Sequence, residues 1–216
     1  STFVNVINKL LGDYSKAASS QTLVAKGSSS IGDDLVDLVG ARLISVSETE
    51  TGEALAEAKI KQMTGGDVLK GRPLYGSWLE FSIIGKILLA TNSLPQINNT
   101  DHGIWRRIQA IPFNRTFTAE EQDKELGSKL TKELPGILNW AIQGCLDWQE
   151  QGLNPPQIVL EQVATYKTEM DSIAQFVEQE CILEPETKYP ASKLYEAYRH
   201  FCQAIGRKPQ STNAFK

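Results

Sequence analysis

Two short apolar runs, each ending on polar residues, do most to limit what this chain can fold into. LISVSE carries Leu43 to Val46 into Ser47 and Glu48, and KILLATN carries Lys86 to Ala90 into Thr91 and Asn92. Runs this brief, bounded by glycine and polar residues, fit buried strands. Between them, EALAEAKIKQMTGG (residues 53–66) reads as a helix closed by two glycines. DVLKGRPLYGSWLEFS has the alternation of a β-hairpin, broken by Gly71, Pro73 and Gly76. WRRIQAIPF, Trp105 to Phe113, reads as a third strand. Strands separated by helices or hairpins argue for an α/β core through about Phe117.

The flanking segments are helical. STFVNVINKLLGDY spaces Phe3, Val6, Ile7, Leu10 and Leu11 at helical intervals and reaches a C-cap at Gly12. SSQTLVAKGSSSIGDD reads as a loop, and a short helix from Asp33 to Val39 ends at Gly40. Beyond Phe117 the composition turns strongly helical, with Pro135 suited to a first helical turn. NPPQ breaks that pattern before two helices near residues 157–170 and 171–180. EPETKYP is a linker, and SKLYEAYRHFCQAIG is amphipathic, with Leu194, Tyr195, Tyr198, Phe201 and Cys202 on one side. STNAFK opens a further helix after a Ser/Thr cap. This gives three segments: an α/β core over 1–117, a helical part over 118–184 and a small module over 185–216.

A 41% hydrophobic share and 22% charged residues describe an ordinary globular chain, and a net charge of −4 excludes a uniformly basic nucleic-acid binder. Charge is uneven, however. Residues 59–115 hold eight basic side chains and three acids, a local net of +5, so the remainder carries −9. A basic segment in an acidic chain suits phosphate or a nucleic-acid backbone, and it also fits scattered solvated side chains. Cys145, Cys181 and Cys202 are odd in number and far apart, which argues for reduced intracellular thiols over a disulfide framework or a cysteine zinc site. FSIIGKILLA is too short to span a membrane and carries Lys86. His102 and His200 are isolated and read as loop and surface residues without a metal role.

Chemistry can gather where strands end. Glu48 and Glu50, at the carboxyl end of an apolar strand, can hold Mg²⁺ or polarise an attacking water; they equally suit a loop start. Asn92 can position a water or bond a terminal phosphate, and it is also an ordinary turn residue. Arg106 and Arg107, leading into an expected strand, offer a guanidinium for phosphoryl-transfer charge or for a plain ion pair. TGGDVLKGRPLYG could present Lys70, Arg72 and Tyr75 to a single strand, or turn Tyr75 inward. Ser1 and Thr2 read either as a helix N-cap or as the tail of a phosphate loop, G-x-x-x-x-G-K-[ST].

The order of these signals, more than any one of them, resembles the helicase part of the phage and plasmid primase–helicases. Those are superfamily 3 helicases, AAA+-like P-loop ATPases that also include the poxvirus primase–helicase. LISVSETETG, IKQMTGGD, LLATNSLPQI and DHGIWRRIQAIPF carry the likeness, which is dense over residues 1–117 and loose beyond. The resemblance implies a P-loop ATPase core with a helical C-terminal extension and a partial winged helix. Ser1 then matches the Mg²⁺-coordinating hydroxyl and Thr2 the residue after it. Glu48 matches the acidic Walker B position with Glu50 as a nearby carboxylate, and Asn92 matches sensor 1. Arg106 and Arg107 cover the arginine-finger position, the choice between them open. The Lys70–Tyr75 hairpin matches the pore-facing loop that binds single-stranded DNA.

The implied protein is an ATP- and Mg²⁺-dependent DNA helicase of a DNA primase. It acts as a cytoplasmic homo-hexamer on single-stranded and duplex DNA in phage or plasmid replication. The chain starts just past the expected Gly-Lys, so it is expected to bind ATP weakly and not to turn it over. A non-catalytic DNA-binding or oligomerisation module is the alternative; a small-molecule kinase would explain neither the hairpin nor the C-terminal helices.

Overall fold

The computed structural model describes residues 2–25, 33–47, 53–73, 75–98 and 102–215. Ser1, Glu48 and Glu50 lie outside them. The protein has a mixed α/β architecture with a parallel sheet and many helices. Three parallel strands, β1 (Ser15–Ala18), β2 (Leu43–Ser47) and β5 (Lys86–Ala90), pair in the order β1-β2-β5. β2 lies between its neighbours and carries the core: Ile44 and Val46 are fully buried. β3 (Leu69–Gly71) and β4 (Leu79–Phe81) form the expected antiparallel hairpin, with Lys70 opposite Glu80.

α1 (Thr2–Leu11) contacts β1, β2 and the later helices around residues 126–151, and its Val4 and Val6 are buried. Gly12, at φ 55°, ends the helix in a backbone region that a side chain would strain. Ser45 is a hydroxyl in a buried apolar strand, and α1 satisfies it: Asn8 Nδ2 donates to Ser45 Oγ at 3.1 Å, while Ser15 Oγ donates to Asn8 Oδ1 at 2.7 Å. β1 is a strand that sequence pattern alone does not indicate. Ser-Lys-Ala-Ala has no apolar run and little strand propensity, and only its ladder with β2 makes it a strand.

The third expected strand is absent. Residues 102–105 form a short helix, α4 (His102–Trp105), whose Ile104 and Trp105 are buried, and residues 108–117 continue without strand pairing. The physical reason is pairing. No described strand lies beyond β5, and Pro112 has no N–H to offer a ladder. Phe113 instead meets Phe3 of α1, with ring centroids 5.8 Å apart.

The helical remainder comprises α5 (Leu126–Lys132), α6 (Leu134–Gln151), α7 (Gln157–Met170), α8 (Ser172–Glu180), α9 (Ala191–Ala204) and α10 (Thr212–Phe215). α2 (Asp33–Val36) and α3 (Glu57–Gly65) belong to the first part of the chain. Buried apolar residues form two clusters. The first joins the sheet, α2, α3 and α4 to Tyr166 of α7. The second joins Phe176 of α8 to Tyr198, Phe201 and Cys202 of α9 and to Phe215. The clusters therefore separate at Asp171, which caps α8 by accepting from the N–H groups of Ile173 and Ala174. α6 is apolar in sequence yet has no buried residue; Trp140 and Trp148 are 68% and 55% exposed.

Glycine substitutions separate crowded from open positions. A Cβ at Gly85 would lie 2.7 Å from the Ala41 carbonyl oxygen, next to the Lys86 N–H to Arg42 O bond that starts the β2–β5 ladder. Gly85→Ala is expected to cost about 1–3 kcal/mol by forcing backbone shifts. Gly144, mid-helix in α6 with open space around it, is the contrast: Gly144→Ala is expected to stabilise by about 0.5–1 kcal/mol. Denaturant midpoints of the two variants check both signs.

Candidate functional site

The register of the sheet decides which groups share an edge. Ser47 pairs with Ala90, so β2 and β5 end side by side at the carboxyl edge. Asn92 follows two residues beyond, exposed and without a side-chain partner among the described residues. α1 returns into β1 through a single 3₁₀ turn and therefore runs opposite to the strands. Asn8 stands level with Ser45, and Thr2 lies six residues nearer the helix start, roughly 9 Å along the axis. From Ser45 to Ser47 the strand advances roughly 7 Å. The exposed Thr2 thus opens toward the same edge as Ser47 and Asn92.

The loop after β5 is tied by several hydrogen bonds. Thr91 Oγ1 donates to the Ser93 carbonyl at 2.7 Å. Gln96 exchanges backbone bonds with residues 53 and 55, each at 2.8 Å, and Asn98 N donates to Glu57 Oε1 at 2.8 Å. Tyr166, brought from α7, donates its hydroxyl to the Pro95 carbonyl and sets its ring against Trp105 in a T-shaped contact at 5.2 Å. Burial pushes the Tyr166 hydroxyl well above its ordinary value, and the Glu169 and Glu57 carboxylates add to that.

The two arginines, indistinguishable in sequence, have different surroundings. Arg107 is half-buried: its Nε donates to Thr64 Oγ1 at 3.0 Å and its Nη1 to the Gly103 carbonyl. Arg106 is exposed, and its guanidinium has no partner among the described residues.

The β3–β4 hairpin presents the other expected group. Tyr75 stands 98% exposed in the loop between the strands, with its backbone at φ 62°. Lys70 pairs with Glu80 at 2.9 Å, and this hydrogen bond holds the lysine pKa above and the carboxyl pKa below their ordinary values. Both groups are solvent-exposed, so salt screens the pair. Arg72 lies over Trp78 at 5.6 Å from the ring centroid, and Trp78 is 64% exposed. Trp78 stands outside the residues expected from sequence, although a tryptophan beside a glycine turn in a basic hairpin is a readable signal. Tyr166 and Glu57 carried no local signal, because both act across long sequence separations.

The arrangement is an open edge and a projecting hairpin. Shallow grooves beside Trp140 (about 480 Å³) and beside Arg199 (about 350 Å³) border neither. No helix of the described residues is long and apolar enough to cross a membrane.

Comparison with known proteins adds a family likeness. Residues 168–216 match the family described as Poxvirus D5 protein-like, a span that begins in the last turn of α7 and takes in the whole second cluster. The chain is 26% identical over 222 residues to "Putative helicase L207/L206" of Acanthamoeba polyphaga mimivirus, covering 93% of this chain and 23% of that protein. It is 26% identical over 219 residues to "Putative helicase 022R" of Frog virus 3 (isolate Goorha), covering 92% and 22%. A 91-residue stretch is 32% identical to "Putative helicase 184R" of Invertebrate iridescent virus 6. The chain thus spans less than a quarter of the length of the first two relatives. The likeness is to helicase-like proteins of large DNA viruses and to the poxvirus D5 type.

Tyr166→Phe tests the strut under the Asn92 loop. It leaves the Pro95 carbonyl unbonded and is expected to cost about 1–2 kcal/mol, or a melting shift of about 3–6 °C at neutral pH. Because the folded-state pKa is raised, the neutral hydroxyl's contribution is complete below the unfolded value near pH 10 and fades above it. The gap between wild type and variant should therefore narrow as pH rises past 10 in thermal melts.

Proposed function

We propose that this chain is part of an ATP-driven DNA helicase of a viral primase–helicase, with a P-loop ATPase core of the superfamily 3, AAA+-like kind. The register of β2 and β5 supports this reading most directly, since it ends both strands at one edge beside the start of α1. Ligands of parallel sheets bind outside that edge. The half-buried KILLA of β5, with no described strand beyond it, leaves a side on which a phosphate-loop strand could pair. The likeness to viral helicases agrees with it.

In this reading Ser1 and Glu48, a hydroxyl and a carboxylate, are hard oxygen donors suited to Mg²⁺, with Glu50 close behind. Bound Mg²⁺ would neutralise charge on the phosphates of ATP. Thr2 completes the turn into α1. Asn92 orients the attacking water at the terminal phosphate. Arg106, the exposed member of the arginine pair, reaches a neighbouring subunit's nucleotide. The hairpin engages a single strand through Lys70, Arg72 and Tyr75, with Trp78 offering a further stacking face. A homo-hexameric ring supplies the neighbour, and the uncovered apolar surface of α6 is consistent with further assembly.

Two measurements test this. No G-x-x-x-x-G-K occurs in the chain, so isothermal titration with MgATP is expected to show no micromolar binding. In a longer protein that includes a phosphate loop, single-stranded DNA should stimulate ATP turnover, and Glu48→Gln should lower it by about 100-fold or more. Strand binding without turnover in that protein would instead identify a non-catalytic DNA-binding module.

A further inference from the structure

We propose that Arg107 is a positioning residue that locks the base of the β3–β4 hairpin and the turn bearing Arg106 into one mechanical unit. Its planar guanidinium reaches the ends of two helices at once. Nε donates to Thr64 Oγ1 at 3.0 Å, in the last turn of α3, and Nη1 donates to the Gly103 carbonyl of α4. The Thr64 hydroxyl works in both directions, since it also donates to the Ile60 carbonyl at 2.6 Å. Nη2 and the Asp67 carboxylate both face the space at Gly65, where a Cβ would lie 3.8 and 3.7 Å from them. A lysine could not hold two acceptors in this fork geometry.

What the clamp joins gives it significance. From Thr64 the chain turns at Gly66, φ 80°, and enters β3 at Leu69. On the other side, Arg106 is one peptide bond away, and α4 beneath it is fixed by the buried Ile104 and Trp105. The TGGD stretch is thereby the joint between α3 and the hairpin. Movement of the hairpin is transmitted to Arg106 through one side chain. The consequence for a motor rests on the function proposed above: strand engagement and the position of Arg106 would be biased together. The clamp itself rests only on these contacts.

Hydrogen exchange on the 216-residue protein, with and without a 20-nucleotide oligo(dT), tests it. In Arg107→Ala, amides over 65–71 and 105–109 should both exchange about fivefold faster or more. Thr64→Val, which removes the acceptor and keeps the arginine, should reproduce the effect at both places, and Arg106→Ala should change neither. In wild type the oligonucleotide should slow exchange at 105–109 as well as in the hairpin; in Arg107→Ala it should slow the hairpin alone. Unchanged exchange at both segments in Arg107→Ala and Thr64→Val would overturn the proposal, as would oligonucleotide protection reaching 105–109 without Arg107. If wild type does not bind the oligonucleotide, the strand-binding role of the hairpin fails, and the exchange of the free protein alone decides the clamp.

Discussion

Parallel pairing of β2 with both β1 and β5 is the constraint on which the rest depends. A parallel ladder has to be reached by crossovers, so each strand brings a helix or hairpin with it, and successive elements return to the same edge. Here β2 is buried along Leu43 to Val46 and satisfied on both sides. Its one buried hydroxyl, Ser45, is bonded to Asn8 of α1, which sets the height of the helix against the sheet. With that height set, the register of β2 and β5 ends both strands side by side at the carboxyl edge.

A second layer of restraint comes from far along the chain. Tyr166 lies 71 residues from Pro95, yet its hydroxyl and ring hold both the loop after β5 and the end of α4. The loop carrying Asn92 and the turn carrying Arg106 are thus braced by the same side chain. Contacts made by a distant element can hold exposed groups in place without burying them. The second cluster has its own polar tie: Ser172 and Tyr198 share a 2.7 Å hydroxyl contact, with Gln210 N bonded to the same tyrosine oxygen. Ile173, Phe176 and Val177 of α8, with Cys181, precede the exposed linker EPETKYP, and the rest of the cluster follows on α9 and at Phe215.

Much of the local structure was legible beforehand because it is local. Helical periodicity, glycine caps and apolar runs gave α1, β2, β5, the hairpin and the C-terminal helices. Two errors share one cause. SKAA became a strand and WRRIQAIPF did not, because strand formation depends on a partner with free N–H and C=O groups. Likewise the adjacent arginines looked equivalent. The helix end at Trp105 turns Arg107 back onto Thr64 and leaves Arg106 in solvent.

The residues by themselves determined the class of architecture, the positions where polar groups follow apolar strands, and the basic character of residues 59–115. Those properties follow from spacing and charge along the chain. Tertiary structure alone decided that Tyr166 braces the Asn92 loop, that Trp78 stands beside Arg72, and that one arginine of the pair is tied while the other is free among the described residues. The reason is physical: hydrogen bonds, ring contacts and desolvation act over a few ångströms in space, and no periodicity records which distant residues come that close.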